Sequence, residues 1–311
     1  YKTHMRNEGD QVVSALQEAL QVCRVSGAPL QINHHKVIRK SGWQVHCKTT
    51  VAMIAQARRQ GLDVTVDQYP YCASSTSLDS NVPLWAFEGG TQALIERLQD
   101  PFLRRKIKEE TNLSHEGRWG DIFVSYAESE RNQWAVGKSI EEIAQLKGCD
   151  PADACFDLII EEHGRVNEVN YGMCEEDIVY IMKQPFTMIG SDGQAYPMDY
   201  PGQPHPRSYG TFPRVLGHYC RDLHLFPLET AVHKMTGLPA ARLRLQDRGL
   251  IRQGMWADMV IFDMDKLRDT PTYSNPKQIC SGIRQVYVNG ILTADSGIHT
   301  KAAAGRILRR K

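Results

Sequence analysis

The sequence predicts an α/β protein built on a parallel sheet or barrel, interrupted by a mostly helical excursion and closed by a small β unit. Three observations carry the prediction. Short apolar, strand-like segments alternate with amphipathic helical stretches at a repeat of about 30 residues near the start of the chain. The repeat lapses between residues 74 and 185 and resumes just before Asp192. From Gly249 onward the pattern turns to β.

After His4, the residues Val12, Val13, Ala15, Leu16, Ala19, Leu20, Val22 and Cys23 form an apolar stripe at helical spacing. Ser26-Gly27-Ala28-Pro29 stops that helix, and Leu30 to His34 reads as a short buried strand. A second helix, roughly Thr49 to Gln60, carries Val51, Ile54 and Ala55 on one face and ends at Gly61. Leu62 to Asp67 is the next strand, followed by Tyr69-Pro70-Tyr71. Within 74–185, Ser139 with Glu142 fits a capping box, and Asp150-Pro151 fits an N-cap followed by proline at the first helical position. An excursion at this point serves either as a lid or substrate wall or as a structural cap. Phe186 to Ser191 is again strand-like. A helix around Leu228 to Met235 ends at Thr236-Gly237-Leu238-Pro239. Met259 to Asp263 and Gln285 to Leu292 then read as strands, and Asn289-Gly290 between apolar runs is a hairpin signal. The resulting division is 1–73, 74–185, 186–248 and 249–311.

At 311 residues the chain can bury a barrel-sized core or two ordinary ones. Its net charge of +1 comes from 37 basic and 36 acidic residues without long runs of either sign. Nucleic-acid and polybasic membrane roles need concentrated positive charge, so neither partner is expected. No apolar stretch approaches the roughly 20 residues that span a bilayer. The 8 Cys are scattered without CxxC pairs, which reads as reduced thiols and a cytoplasmic location.

Three metal-capable residues stand at the ends of strand-like segments: His4, His34 and Asp192. Neutral imidazole and carboxylate suit a borderline metal such as zinc, and strand C-termini are where barrel enzymes keep their chemistry. A single histidine is ordinarily a surface or core-edge residue; the equivalent positions of His4 and His34 in successive β-α units are what raise them. Ser191-Asp192-Gly193 is also ordinary turn chemistry. As a functional group, Asp192 would touch the metal and take a proton from activated water. The segment from His205 to Arg214 carries two arginines suited to an anionic substrate group, or to a structural carboxylate. Lys36 points at the same rim as His34, or is a solvated lysine.

At these motifs the chain resembles the D-aminoacylases, the N-acyl-D-amino-acid deacylases of the amidohydrolase superfamily. The resemblance runs through Thr3 to Gly9, Gln31 to Lys36, Asp67 to Tyr71, Gly190 to Gly193, His205 to Gly217 and Lys234 to Ala240, and ends at Ala257 to Asp263 and Val288 to Gly290. The last two anchors are shared widely; the His-Pro-Arg and Tyr-Pro-Tyr motifs are specific. The resemblance implies the C-terminal half of a zinc-dependent (β/α)8 barrel: strands five to seven in 1–73, an inserted segment in 74–185, the last strand in 186–248, and part of a small β domain in 249–311. It implies zinc on His4 and His34, with Asp192 as general base and ligand of a second, weaker site. Lys36, Tyr69 and Arg207 would hold the substrate and its carboxylate, and Met173 would line an acyl or side-chain pocket. The implied reaction is hydrolysis of an N-acyl-D-amino acid by metal-activated water, Asp192 returning the proton to the departing amine.

Family members also carry a His-x-His pair and a further ligand on early strands, and neither is found here. The expectation is therefore a portion of a longer enzyme, inactive by itself. Alternatives are another amidohydrolase, such as a cyclic amidase or dipeptidase, and a non-catalytic scaffold. The oligomeric state is not legible in the sequence.

Overall fold

The computed structural model describes residues 1–115 and 117–308; position 116 of the excursion and positions 309–311 of the tail lie outside the described residues. The first unit is a four-stranded parallel sheet of β1 (Lys2–Thr3), β2 (Leu30–Ile32), β3 (Val64–Gln68) and β7 (Thr187–Ile189), hydrogen-bonded in that order. Parallel neighbours need crossover connections, and helices supply them. Helix α1 (Val12–Ser26) joins β1 to β2, and α2 (His46–Arg59) joins β2 to β3. Helix α1 ends where Gly27 adopts φ 67° and donates its N–H to Cys23 O, as the Ser-Gly-Ala-Pro stop requires. Its inner face, Val12, Leu16 and Leu20, packs with Leu30, Ile32, Ile54, Val64 and Val66 in one core. Each such side chain contributes about 1.5–3 kcal/mol of burial, so the alternation read from sequence is enough to seat both helices.

Between β3 and β7 the chain leaves the parallel sheet. It builds β4 (Ser74–Ser77), α3 (Thr91–Gln99), α4 (Pro101–His115), β5 (Ile122–Ala127), α5 (Ile140–Lys147), α6 (Pro151–Glu161) and β6 (Val166–Asn170). The three strands form an antiparallel sheet in the order β4-β6-β5, a layer the helical reading of this stretch did not include. The reason is composition: Ser-Ser-Thr-Ser and Val-Asn-Glu-Val-Asn carry little apolar alternation, and backbone pairing defines them as strands. The insertion has its own core, including Leu78, Leu94, Ile107, Ile122 and Phe156. Ser139 caps α5 through a complete box with Glu142, and Asp150 caps α6 ahead of Pro151. Helix α7 (Glu175–Met182) packs back on the first unit through Ile181 and leads into β7.

After β7 come α8 (Arg207–Arg214), continued by a π-helical stretch to Asp222, then α9 (Leu228–Met235) and α10 (Gly237–Arg242). The chain closes with an antiparallel sheet of β8 (Met259–Phe262), β9 (Ile283–Val288), β10 (Ile291–Asp295) and β11 (Ile298–His299). Asn289 and Gly290, at φ 53° and 81°, make the two-residue turn that joins β9 to β10. Among the described residues, no helix is long and apolar enough to cross a membrane.

Candidate active site

Parallel pairing in the order β1-β2-β3-β7 makes the residues beyond the strands' C-terminal ends neighbours along one rim. His4 follows β1, His34 follows β2, Tyr69 follows β3 and Asp192 follows β7. Two of these occupy left-handed backbone: His34 has φ 34° and Asp192 φ 48°. Such conformations cost on the order of 1–3 kcal/mol each and cluster at sites where geometry matters more than stability.

His4 Nδ1 and His34 Nε2 face each other in direct contact, with ring centroids 4.5 Å apart. Their outer nitrogens are held from behind. His34 Nδ1 lies 2.9 Å from a Glu8 carboxylate oxygen and 2.7 Å from Lys36 Nζ. His4 Nε2 accepts from the Asn33 side-chain amide at 3.2 Å, while Asn33 Oδ1 is buried with no partner. Turning that amide over gives the orphaned oxygen the His4 Nε2–H and leaves Nδ1 a free lone pair. His34 Nδ1 lies within reach of both the Lys36 ammonium and the Glu8 carboxylate; only the tautomer with its proton on Nδ1, toward Glu8, would leave Nε2 unprotonated beside His4 Nδ1, as two ligands of a single metal need. Burial first, and then the neighbouring His34, lower the His4 pKa against the opposing pull of Asp192 and Glu8, which favours the neutral ligand form. Two neutral imidazoles are donors of the kind a borderline metal takes, but they are not a complete ligand set.

Glu8 is the hidden member of this group. Burial alone would raise its pKa, but Lys36 Nζ at 2.6 Å and His34 outweigh burial and hold the carboxyl at about 2. Burial also pulls the Lys36 ammonium down, with Glu8 opposing. The direction at Glu8 decides the pair, and it stands as an ion pair. Behind His34, Asp67 Oδ1 accepts the His34 backbone N–H at 2.7 Å. That oxygen comes so close to Gly190 that a Cβ there would meet it at 3.2 Å.

Asp192 does not join the histidines. Its carboxylate pairs with Arg207 Nη2 at 3.0 Å. Among the described residues, no three His, Cys, Asp or Glu side chains are placed to hold a metal ion. The expected His4, His34 and Asp192 set is thus a histidine pair plus a carboxylate engaged by arginine. Gly193 permits the approach, since a Cβ there would lie 2.7 Å from Ser208 Cα on α8. Arg207 also donates to Ser75 O at 3.1 Å and stacks over the Tyr69 ring at 4.7 Å. His205 fixes its backbone: Nδ1 accepts the Arg207 N–H at 2.9 Å and Nε2–H donates to Ala73 O at 2.9 Å. Burial and nearby Arg207 keep that imidazole neutral.

His4, His34, Lys36, Tyr69, Asp192 and Arg207 all line one cavity of about 1050 Å³. Met173 does not line it. It is buried with Tyr69 and Tyr71 in an apolar cluster, so it backs Tyr69 where a direct substrate contact was expected. Sequence reasoning missed Glu8, Asn33, Asp67 and His205. All four lie inside quoted motifs, Thr3 to Gly9, Gln31 to Lys36, Asp67 to Tyr71 and His205 to Gly217, the only signal that pointed to them.

The profile described as the amidohydrolase family matches residues 61–294. The chain is 36% identical over 310 residues to a D-aminoacylase of Alcaligenes xylosoxydans xylosoxydans, covering 100% of this chain and 54% of that protein. A solved structure of a D-aminoacylase with a binuclear metal centre superposes with a TM-score of 0.79 at 36% identity, covering 100% of this chain and 56% of that one. An N-acyl-D-glutamate deacylase from Bordetella bronchiseptica, complexed with zinc and a phosphonate inhibitor, superposes at 0.75 with 31% identity, covering 95% of this chain and 54% of that one. The chain thus spans about half the length of the curated relatives it matches.

Proposed function

The chain belongs to the amidohydrolase family, and from that premise we propose that its residues supply one half of a zinc-dependent N-acyl-D-amino-acid deacylase site. The observation that carries the reading is the histidine pair, with two inner nitrogens converging and two outer nitrogens held by Glu8 and Asn33. On this reading the parallel sheet is the later half of a (β/α)8 barrel. His4 and His34 are two ligands of a metal that needs more than this pair to complete its shell. When bound, zinc supplies an activated water and polarises the substrate carbonyl.

The remaining work falls to this chain's side chains. Asp192 takes the proton of the attacking water and delivers it to the departing nitrogen. Arg207 and Lys36 anchor the α-carboxylate, and a bidentate guanidinium suits a free carboxylate far better than a cyclic amide. Substrate then competes with Asp192 for Arg207, so binding frees the base as it seats the acid. The buried Tyr69 hydroxyl has no hydrogen-bond partner among the described residues and is available to the substrate.

The test is hydrolysis of N-acetyl-D- and N-acetyl-L-amino acids with added zinc, alongside hydantoins and dihydroorotate. The reading expects turnover confined to the linear D-compounds when the metal shell is complete, and none from these 311 residues alone. Activity confined to cyclic amides contradicts it.

A further inference from the structure

The cavity has a second wall, contributed by the insertion, whose chemistry differs from the strand ends. Strands β4 and β6 pair so that Thr76 faces Glu168 and Ser75 faces Val169. Arg207, the proposed carboxylate anchor, touches this wall directly through Ser75 O at 3.1 Å. A substrate whose α-carboxylate sits on Arg207 therefore starts its side chain beside β4, one register position from Glu168. Its acyl carbonyl must point the other way, toward His4 and His34.

Glu168 lines the cavity, is only 1% exposed, and has no cationic partner among the described residues. Asn81 Nδ2 donates to its Oε2. Burial pushes its carboxyl up to about 8 against the pull of Asn81 and Asn170, so it carries a proton at neutral pH. Protonated, it has one O–H to donate and, on oxygens that Asn81 and Asn170 already engage, a remaining acceptor lone pair, which together match a carboxamide. Once the α-carboxylate takes Arg207 and Lys36, the cavity's other cations among the described residues are already paired. Arg6, Arg39 and Arg118 each have a carboxylate within 3.9 Å. An acidic side chain would bring a second anion to a wall with no free cation, and an uncompensated buried charge is costly.

We propose that the insertion wall, with Glu168 as its specificity residue, selects N-acyl-D-amino acids bearing a hydrogen-bonding carboxamide side chain and rejects their acidic isosteres. This rests on the deacylase reading above. It separates the chain from the glutamate-specific relative on charge alone, because glutamine and glutamate match in shape.

The experiment is calorimetric titration of the 311-residue chain with N-acetyl-D-glutamine, N-acetyl-D-glutamate and N-acetyl-D-alanine at pH 7. The expected result is glutamine binding about 10-fold or more tighter than glutamate, a gap of about 1.4 kcal/mol. Glu168→Leu should collapse the glutamine-to-alanine ratio, whereas Glu168→Gln, which keeps one donor and one acceptor, should preserve it. Circular dichroism of both variants checks that they fold. Equal affinity for glutamine and glutamate, or an unchanged ratio in a folded Glu168→Leu chain, overturns the selectivity. Alanine binding without a glutamine preference overturns the selectivity alone, and no binding of any acyl amino acid overturns the deacylase reading with it.

Discussion

Glu8 and Glu168 are two glutamates lining one cavity, Glu8 largely and Glu168 almost fully enclosed, and they are driven in opposite directions. At the strand ends, Lys36 and His34 overcome burial and hold Glu8 ionised, at about 2. On the insertion wall, Asn81 and Asn170 cannot overcome it, and Glu168 is pushed up to about 8. Burial therefore does not set the state of a buried carboxyl; the presence or absence of a cation does. The strand-end floor is built for fixed charge, as metal and acid–base chemistry require, and the insertion wall is built for neutral hydrogen bonding.

Removing the cation is the strongest way to break this contrast. Lys36→Met leaves Glu8 buried without its ion-pair partner and should cost about 3–5 kcal/mol in urea unfolding at pH 7. A loss under about 1 kcal/mol would mean that the pair does not govern the floor. No such penalty is expected for Glu168→Gln, which orphans no cation and keeps an oxygen for the Asn81 amide.

Titration sharpens the contrast through opposite slopes. Glu8 is depressed when folded, so its contribution is present above its ordinary value of 4.5 and is lost as pH falls through about 2. Glu168 is raised when folded, so the native chain keeps a proton that the unfolded chain releases. Its contribution is full below 4.5 and is lost as pH rises through about 8. Each is worth on the order of a few kcal/mol. Unfolding midpoints of the parent and Glu168→Gln from pH 5 to 8 check the second slope, which the variant should flatten. A parent-like slope in the variant would assign the effect elsewhere.

Ser139→Ala gives the smallest effect. It removes the cap of α5, inside the insertion but away from the cavity, and should lower stability by about 1 kcal/mol. The glutamine-to-glutamate ratio should not move. A changed ratio would show that the wall responds to the general stability of the insertion and not to Glu168.

Much of the scaffold was legible because period decides it. The helical stripe from Val12 to Cys23, the Ser139 box, the Asn289-Gly290 turn and the four strand ends all follow from local pattern. The strands β4 and β6 were not legible, since Ser and Asn at alternate positions give no hydrophobic signal. Of the candidate residues, His4, His34 and Asp192 could be found because their chemistry is rare and their positions recur. Glu8 and Glu168 could not: a glutamate in sequence looks the same whether a lysine or an asparagine folds against it. Met173 shows the same limit, since it lies in none of the quoted motifs and its burial with Tyr69 and Tyr71 is set by packing that no local pattern announces.

His4 and His34 are proposed as one ligand pair oriented from behind, and competitive zinc titration of the chain and of His34→Ala is the sharpest test. Zinc affinity should fall by about 10-fold or more in the variant and stay unchanged in Glu168→Gln. Equal zinc affinity in His34→Ala and the parent chain would overturn the pair.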